Sequence, residues 1–407
     1  MHCSRDTLPR PLLQKPEGVN TPRPAPCASR GPFFCPRLPA SHHPCSRVPC
    51  SRNFQKNRAP PVNTGQPAGR IRQSDFRPAA WLRNRHMQTV FPSLPLLRLP
   101  RPPLYREMLE LPDGDVTVVD WLEEVPRTTE TSPLLVVLHG LESSAKSTYA
   151  RQLLHAAAGR GWRAAVLHFR DCGDYRNRLP RRYHAGETSD LRYFLHKLRT
   201  DGHEGPLLAA GYSLGGNVLL KYLGESAADT PLLAAAAVSV PLNLHESSKA
   251  LSQGISRVYQ NYLLRRMKLS VTRTFNPHTA AFDWGKAMGA ATFAEFDDAV
   301  TAPLHGFAGK DDYYDRCSSI RFLKTIERPT LIINALDDPF MTPDVIPDES
   351  QVSDFVTLEV SEQGGHVGFI DGGTPWRPQY YLPRRITRFL EGELAEQETE
   401  MVAIPGL

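Results

Sequence analysis

Long hydrophobic runs are missing from this sequence. No window approaches the roughly 18 apolar residues that span a bilayer. The longest run, near Leu232 to Val240, is about half that length and is fenced by Pro231 and Pro241. A membrane-spanning chain is therefore not expected. A secretory signal would need an apolar stretch of about 7–15 residues near the start, and none is present. Cysteine is also scarce where it would matter. Of seven cysteines, five lie in residues 1–73, and only Cys172 and Cys317 remain in the rest. That is too few for a disulfide scaffold and suits a reducing compartment, so the expected location is the cytoplasm.

Acidic side chains are nearly absent from residues 1–73, which hold 12 basic and 2 acidic groups and 14 of the 37 prolines. The remaining residues hold 36 basic and 41 acidic groups. The basic balance thus belongs to a tail, and the body is mildly acidic. A mildly acidic body speaks against general nucleic-acid binding. The tail has almost no apolar periodicity and cannot offset its ordering entropy, so residues 1–73 read as disordered. Pro9, Pro11, Pro16, Pro22, Pro24 and Pro26 oppose the amphipathic helix of a mitochondrial presequence. Cys27, Cys35, His42, His43, Cys45 and Cys50 match no common zinc-ligand spacing. The expectation is a tail without function, reflecting a start codon placed too far upstream.

From residue 74 to 395 the pattern alternates. Short β-rich apolar runs precede helical patterns, which predicts an α/β fold with a mostly parallel central sheet flanked by helices. An opening hairpin is expected from Arg106–Leu111 and Val116–Leu122 around Asp113-Gly114. Buried strands are expected at Leu134–Leu138, Ala164–Phe169, Leu207–Gly211, Leu233–Val240, Thr330–Ala335 and Phe355–Val360. Helices are expected after Ser147 as N-cap, at Glu187–Arg199, at Gly215–Gly224 and from about Pro383 to Leu394, leaving 396–407 as a C-terminal tail. Residues 242–300 break the alternation with helical sequence, including the amphipathic set Val258, Tyr262, Leu263 and Met267. An insertion there would form a lid over the carboxyl ends of the strands, where open α/β sheets bind ligands.

Gly211-Tyr212-Ser213-Leu214-Gly215 is a G-x-S-x-G between a buried strand and a helix. Such a turn is so tight that side chains two before and two after the serine would clash, and Gly211 and Gly215 meet that need. Ser213 would be strained, with its hydroxyl exposed at the amino end of a helix that favours an oxyanion. A serine needs a base, and the base needs an orienting acid. In the chain order Ser, acid, His, the acid should follow a late strand. Asp337 and Asp338 both follow Thr330–Ala335. Asp338, before Pro339 and three residues beyond the strand, is preferred. The base should follow the last strand, and His366 does so within Gly364-Gly365-His366-Val367-Gly368. His139 is assigned to shaping the loop after Leu134–Leu138 rather than to base catalysis. His184 and His86 read as structural or surface residues. The N–H groups of Leu141 and Leu214 are the expected oxyanion donors.

With these residues in place the body resembles the α/β-hydrolase fold, and more closely its YheT-like branch, the AB hydrolase 4 family. The resemblance runs from about Phe76 to Leu394. It rests on Trp81–Thr89 (WLRNRHMQT), His139–Ser144 (HGLESS), Tyr183–Thr188 (YHAGET), Gly211–Glu225, Thr292–Phe307, Asn334–Phe340 (NALDDPF) and Gly364–Phe369 (GGHVGF). It implies a triad of Ser213, Asp338 and His366. One loop departs: where the family has Arg-Gly-Cys-Ser-Gly, this chain has Arg170-Asp171-Cys172-Gly173-Asp174. The family's human relatives act on acylglycerols and phospholipids. The implied substrates are therefore short- to medium-chain esters or monoacylglycerols, handled without metal or organic cofactor. The same acyl-enzyme would serve an acyltransferase or thioesterase, and a non-catalytic binding protein could keep the fold. The sequence carries no signal for oligomeric state.

Overall fold

A computed structural model of the chain describes residues 71–94, 100–123 and 128–403. All of them fall within one compact unit, Asn63–Leu407. The proline-rich tail, with its cysteines and histidines, lies outside the described residues as far as residue 70.

Eleven strands are present among the described residues: β1 (Ile71–Gln73), β2 (Leu104–Glu110), β3 (Val116–Leu122), β4 (Leu134–Leu138), β5 (Arg163–Leu167), β6 (Leu207–Tyr212), β7 (Leu232–Val238), β8 (Thr330–Ala335), β9 (Val356–Ser361), β10 (Ile370–Thr374) and β11 (Arg377–Tyr380). Nine of them form one sheet in the order β1-β9-β8-β7-β6-β4-β5-β3-β2. The pairs β2–β3 and β3–β5 are antiparallel, and every other pair in this sheet is parallel. The central strands β4, β6 and β8 are buried at every residue. That is why they read as unbroken apolar runs: a parallel strand covered by helices on both faces has no polar side.

The helices are α1 (Arg85–Val90), α2 (Thr148–Ala158), α3 (Ser189–Thr200), α4 (Leu214–Ser226), α5 (Leu244–Leu251), α6 (Ser256–Thr274), α7 (Trp284–Gly289), α8 (Phe293–Phe296), α9 (Ala302–His305), α10 (Lys310–Cys317) and α11 (Tyr381–Ala403). One core contains Leu134, Val136 and Leu138 with Leu191, Leu195, Leu219 and Leu223. A second core, built on the alternate strand residues, joins Leu135 and Val137 to Leu153, Leu154, Ile386 and Leu390. The period-2 alternation of buried strands thus feeds both faces of the sheet.

Several expectations need correction. The folded body begins before residue 74, because Ile71–Gln73 pairs in parallel with Leu358–Val360. The last helix does not stop at Leu394. It continues to Ala403 through Ala395-Glu396-Gln397-Glu398, all good helix formers. Ser147 stands at the N-cap of α2, but its hydroxyl makes no capping bond. The two-stranded ribbon β10–β11 was not foreseen.

The stretch between β7 and β8 is helical from Leu244 through the turns that end at Thr325. Its own apolar cluster includes Leu264, Met267, Val271, Phe293 and Phe296. The four residues grouped by sequence periodicity part company here. Met267 is buried and Leu263 half-buried, whereas Val258 and Tyr262 are exposed.

Candidate active site

The candidate residues gather at the carboxyl ends of β4, β6, β8 and β9. Ser213 follows β6 directly and has φ 52° and ψ −121°. Left-handed backbone at a residue with a side chain costs about 1–2 kcal/mol. The surroundings hold it there. Its N–H donates to the carbonyl of Val238 at 2.8 Å, and its carbonyl accepts from the Asn217 N–H at 3.1 Å. The flanking glycines are required by space. A Cβ on Gly211 would lie 2.5 Å from the Gly215 carbonyl oxygen, and one on Gly215 would lie 2.5 Å from that of His139.

Ser213 Oγ lies 3.0 Å from His366 Nε2. His366 Nδ1 lies 2.8 Å from Asp338 Oδ2. Asp338 is 1% exposed, and its other oxygen accepts from the Phe340 N–H at 2.8 Å. Asp337 is turned elsewhere and accepts from the Gly365 N–H at 2.9 Å. Burial pushes its carboxyl above the usual carboxylate range. The Phe340 ring stacks on the imidazole of His366 at 3.9 Å, with 5° between the planes.

The histidine loop is held by residues that sequence reasoning did not single out. The His366 N–H donates to Thr89 Oγ1 at 2.9 Å, and the Val367 N–H donates to Ser239 Oγ at 3.0 Å. Gln88, buried in α1, donates to the carbonyls of Leu82 and Ile370 and accepts from the Ile370 N–H. The motif Trp81–Thr89 was visible, but not its task, which is to brace this loop.

The loop after β4 is braced from two sides. The Gly140 N–H donates to Tyr149 Oη at 2.8 Å, and Tyr149 donates onward to Ser143 Oγ at 2.8 Å. The Glu142 N–H donates to Tyr183 Oη at 2.7 Å, and the Glu142 carboxylate pairs with buried Arg182. Leu141, between these anchors, lines the same cavity as Leu214, Ser213 and His366. Among the described residues, no hydrogen bond takes up the N–H of Leu141 or of Leu214. His139 is buried, with Nδ1 on the Gly140 carbonyl at 2.8 Å and Nε2 near the Phe169 N–H at 3.3 Å. Burial, assisted by His168, lowers its pKa to about 3. A neutral ring that donates at Nδ1 and accepts at Nε2 shapes the loop, as expected from sequence.

The cavity measures about 110 Å³ and is lined mainly by apolar side chains, among them Leu251, Leu263, Met267 and Phe293 from the helices between β7 and β8. One wall carries a carboxyl. Asp297 accepts from Thr301 Oγ1 at 2.6 Å and Tyr314 Oη at 2.8 Å. Burial raises its pKa to about 6. The divergent loop reaches the same helices, because Asp171, at φ 63°, accepts from Ser270 Oγ at 2.5 Å and Thr274 Oγ1 at 2.6 Å.

One cluster has ligand-type donors. His184, Glu187 and His305 bring ligand atoms within 4.8 Å of one another. The Glu187 carboxylate is already engaged by Arg181 at 2.6 Å and by Ser189. Burial lowers His184 to about 3 and His305 to about 4, so both rings are neutral. His86 sits elsewhere, with Nδ1 3.1 Å from Tyr259 Oη.

Residues 133–373 match the family described as alpha/beta hydrolase fold. YheT of Escherichia coli (strain K12), whose name assigns it esterase activity only provisionally, is 43% identical over 319 residues, covering 78% of this chain and 93% of its own. Phospholipase ABHD3 of Mus musculus is 31% identical over 323 residues, covering 78% of each chain. The Homo sapiens protein of the same name is 31% identical with the same coverage.

Proposed function

The chain belongs to the α/β-hydrolase family, in its YheT-like branch, and from that premise we propose that it is a serine hydrolase cleaving carboxylic esters. The observation that carries this reading is the continuous path from Ser213 Oγ through both nitrogens of His366 to Asp338, at 3.0 and 2.8 Å. Ser213 attacks the ester carbonyl as His366 Nε2 takes the hydroxyl proton. Asp338 holds the ring in the tautomer that leaves Nε2 free to accept, then stabilises the imidazolium. The N–H groups of Leu141 and Leu214 receive the oxyanion. In comparable enzymes one such donor contributes about 3–4 kcal/mol to the transition state. His366 returns the proton to the leaving alcohol. Water, activated by the same nitrogen, then frees the acid from the acyl-enzyme.

The substrate class we assign is short- to medium-chain esters or monoacylglycerols. The cavity supports the short end of that range: about 110 Å³ is small against the roughly 300–1,000 Å³ of common ligand pockets. Longer acyl chains would require the helices between 242 and 300, which we assign as a cap, to shift. The phospholipase name of two relatives favours acyl esters among these substrates. Turnover of a p-nitrophenyl ester series tests the reading. Ser213→Ala and His366→Ala should each lose at least about a thousandfold in kcat. An unchanged rate in either would overturn it.

A further inference from the structure

Helix α6 has two faces with different tasks. Its inner face gives Leu263 and Met267 to the cavity that holds Ser213 and His366. Its outer face is apolar where water would favour polar groups. Ile255, just before the helix, is 63% exposed; Val258 is 66%, Tyr262 59% and Leu269 53% exposed. At 100° per residue these four fall within about 60° of arc, so they form one stripe.

The charge on this helix has a single sign. Residues Ser256–Thr274 contain Arg257, Arg265, Arg266, Lys268 and Arg273 and no Asp or Glu. None of these five forms an ion pair among the described residues. Arg266 donates to the Glu142 carbonyl, and Lys268 to the carbonyls of Met288 and Ala290, so neither is neutralised. Helix α1 meets α6 through His86 and Tyr259, and it adds exposed Met87 and Val90 beside exposed Arg83 and Arg85. A basic helix with an exposed apolar stripe has the composition that inserts at the headgroup boundary of a bilayer.

We propose that the outer face of α6 docks on an anionic phospholipid surface, with Ile255, Val258, Tyr262 and Leu269 entering the acyl boundary and Arg265 and Arg273 on headgroup phosphates. The partner follows from the charge: a second copy of this helix would set Arg265 and Arg273 against like charges across an apolar contact, whereas anionic headgroups offset them. Docking there would set the cap's inner face, and the cavity behind it, against the layer that holds acyl esters.

The test uses the full-length chain carrying Ser213→Ala, so that binding is read without turnover. Vesicles of phosphatidylcholine alone are compared by co-sedimentation with vesicles containing about a third phosphatidylglycerol. Binding should favour the anionic vesicles and weaken as salt rises. Val258→Ser with Leu269→Ser, and separately Arg265→Gln with Arg273→Gln, should each lower the partition coefficient about tenfold or more. With Ser213 restored, both pairs should hydrolyse a soluble short-chain ester at the wild-type rate. Absence of vesicle binding, or binding undiminished by both pairs, would overturn the proposal. So would a dimer, seen by sedimentation, that dissociates on Val258→Ser with Leu269→Ser while vesicles are ignored. Failure of wild-type ester turnover would instead count against the assigned chemistry and leave vesicle binding as it stands.

Discussion

His366 and Asp338 are joined at 2.8 Å through Nδ1 and Oδ2, while Asp337, the preceding residue, accepts the Gly365 N–H instead. The two neighbouring carboxylates therefore have separable roles. Asp338→Asn should reverse the favoured tautomer of His366 and reduce kcat by about 10⁴-fold. Asp337→Asn keeps an oxygen for Gly365 and should stay within about tenfold of wild type. Steady-state kinetics on both variants decides, and equal losses would remove the distinction.

The serine turn gives a stability prediction. Gly215→Ala places a methyl 2.5 Å from the His139 carbonyl oxygen and 2.7 Å from that of Leu138. Backbone atoms at the buried carboxyl end of β4 cannot yield cheaply. The substitution should cost about 1–3 kcal/mol or more and reduce activity with it. Gly289→Ala meets nothing within 4 Å and should be neutral or slightly stabilising. Urea unfolding of the pair measures the contrast.

Asp297 gives a pH prediction. Burial raises its carboxyl to about 6 in the folded state, against about 3.9 in an open chain. Between those values the folded state binds the proton more tightly than the unfolded state does. Stability from this group is therefore full below pH 4 and falls as pH rises toward 6, by on the order of 3 kcal/mol, then levels off. Asp297→Asn should lack this fall. Its stability relative to wild type should rise across pH 4–6, followed by denaturant unfolding at each pH. A constant difference would contradict the assignment.

What could be read from the sequence divides along physical lines. Leu134–Leu138 and Thr330–Ala335 appear with the expected boundaries because every residue in them is buried. Ser213, Asp338 and His366 could be put forward as a set because each follows a strand of this sheet, and they lie within hydrogen-bond distance of one another in the order Ser213–His366–Asp338. The bracing of His366 was not readable. Thr89 lies 277 residues from it, and Ser239 lies 128 residues from Val367, so no local pattern connects them. β1 is three residues with two exposed, too short for a periodicity. The ribbon β10–β11 contains Gly372, Gly373 and Pro378, residues that argue against strand when read locally. Val258 and Tyr262 were grouped with Leu263 and Met267 by hydrophobicity; the helical period separates the two pairs, and packing shows that Leu263 and Met267 face inward.

The most direct test of the account is labelling of the folded chain with a fluorophosphonate probe. The probe requires both an activated serine and a formed oxyanion site. The wild type should label at neutral pH, and Ser213→Ala should not. Labelling that persists in Ser213→Ala, or folded wild type that does not label, would contradict the assignment of Ser213 as the nucleophile.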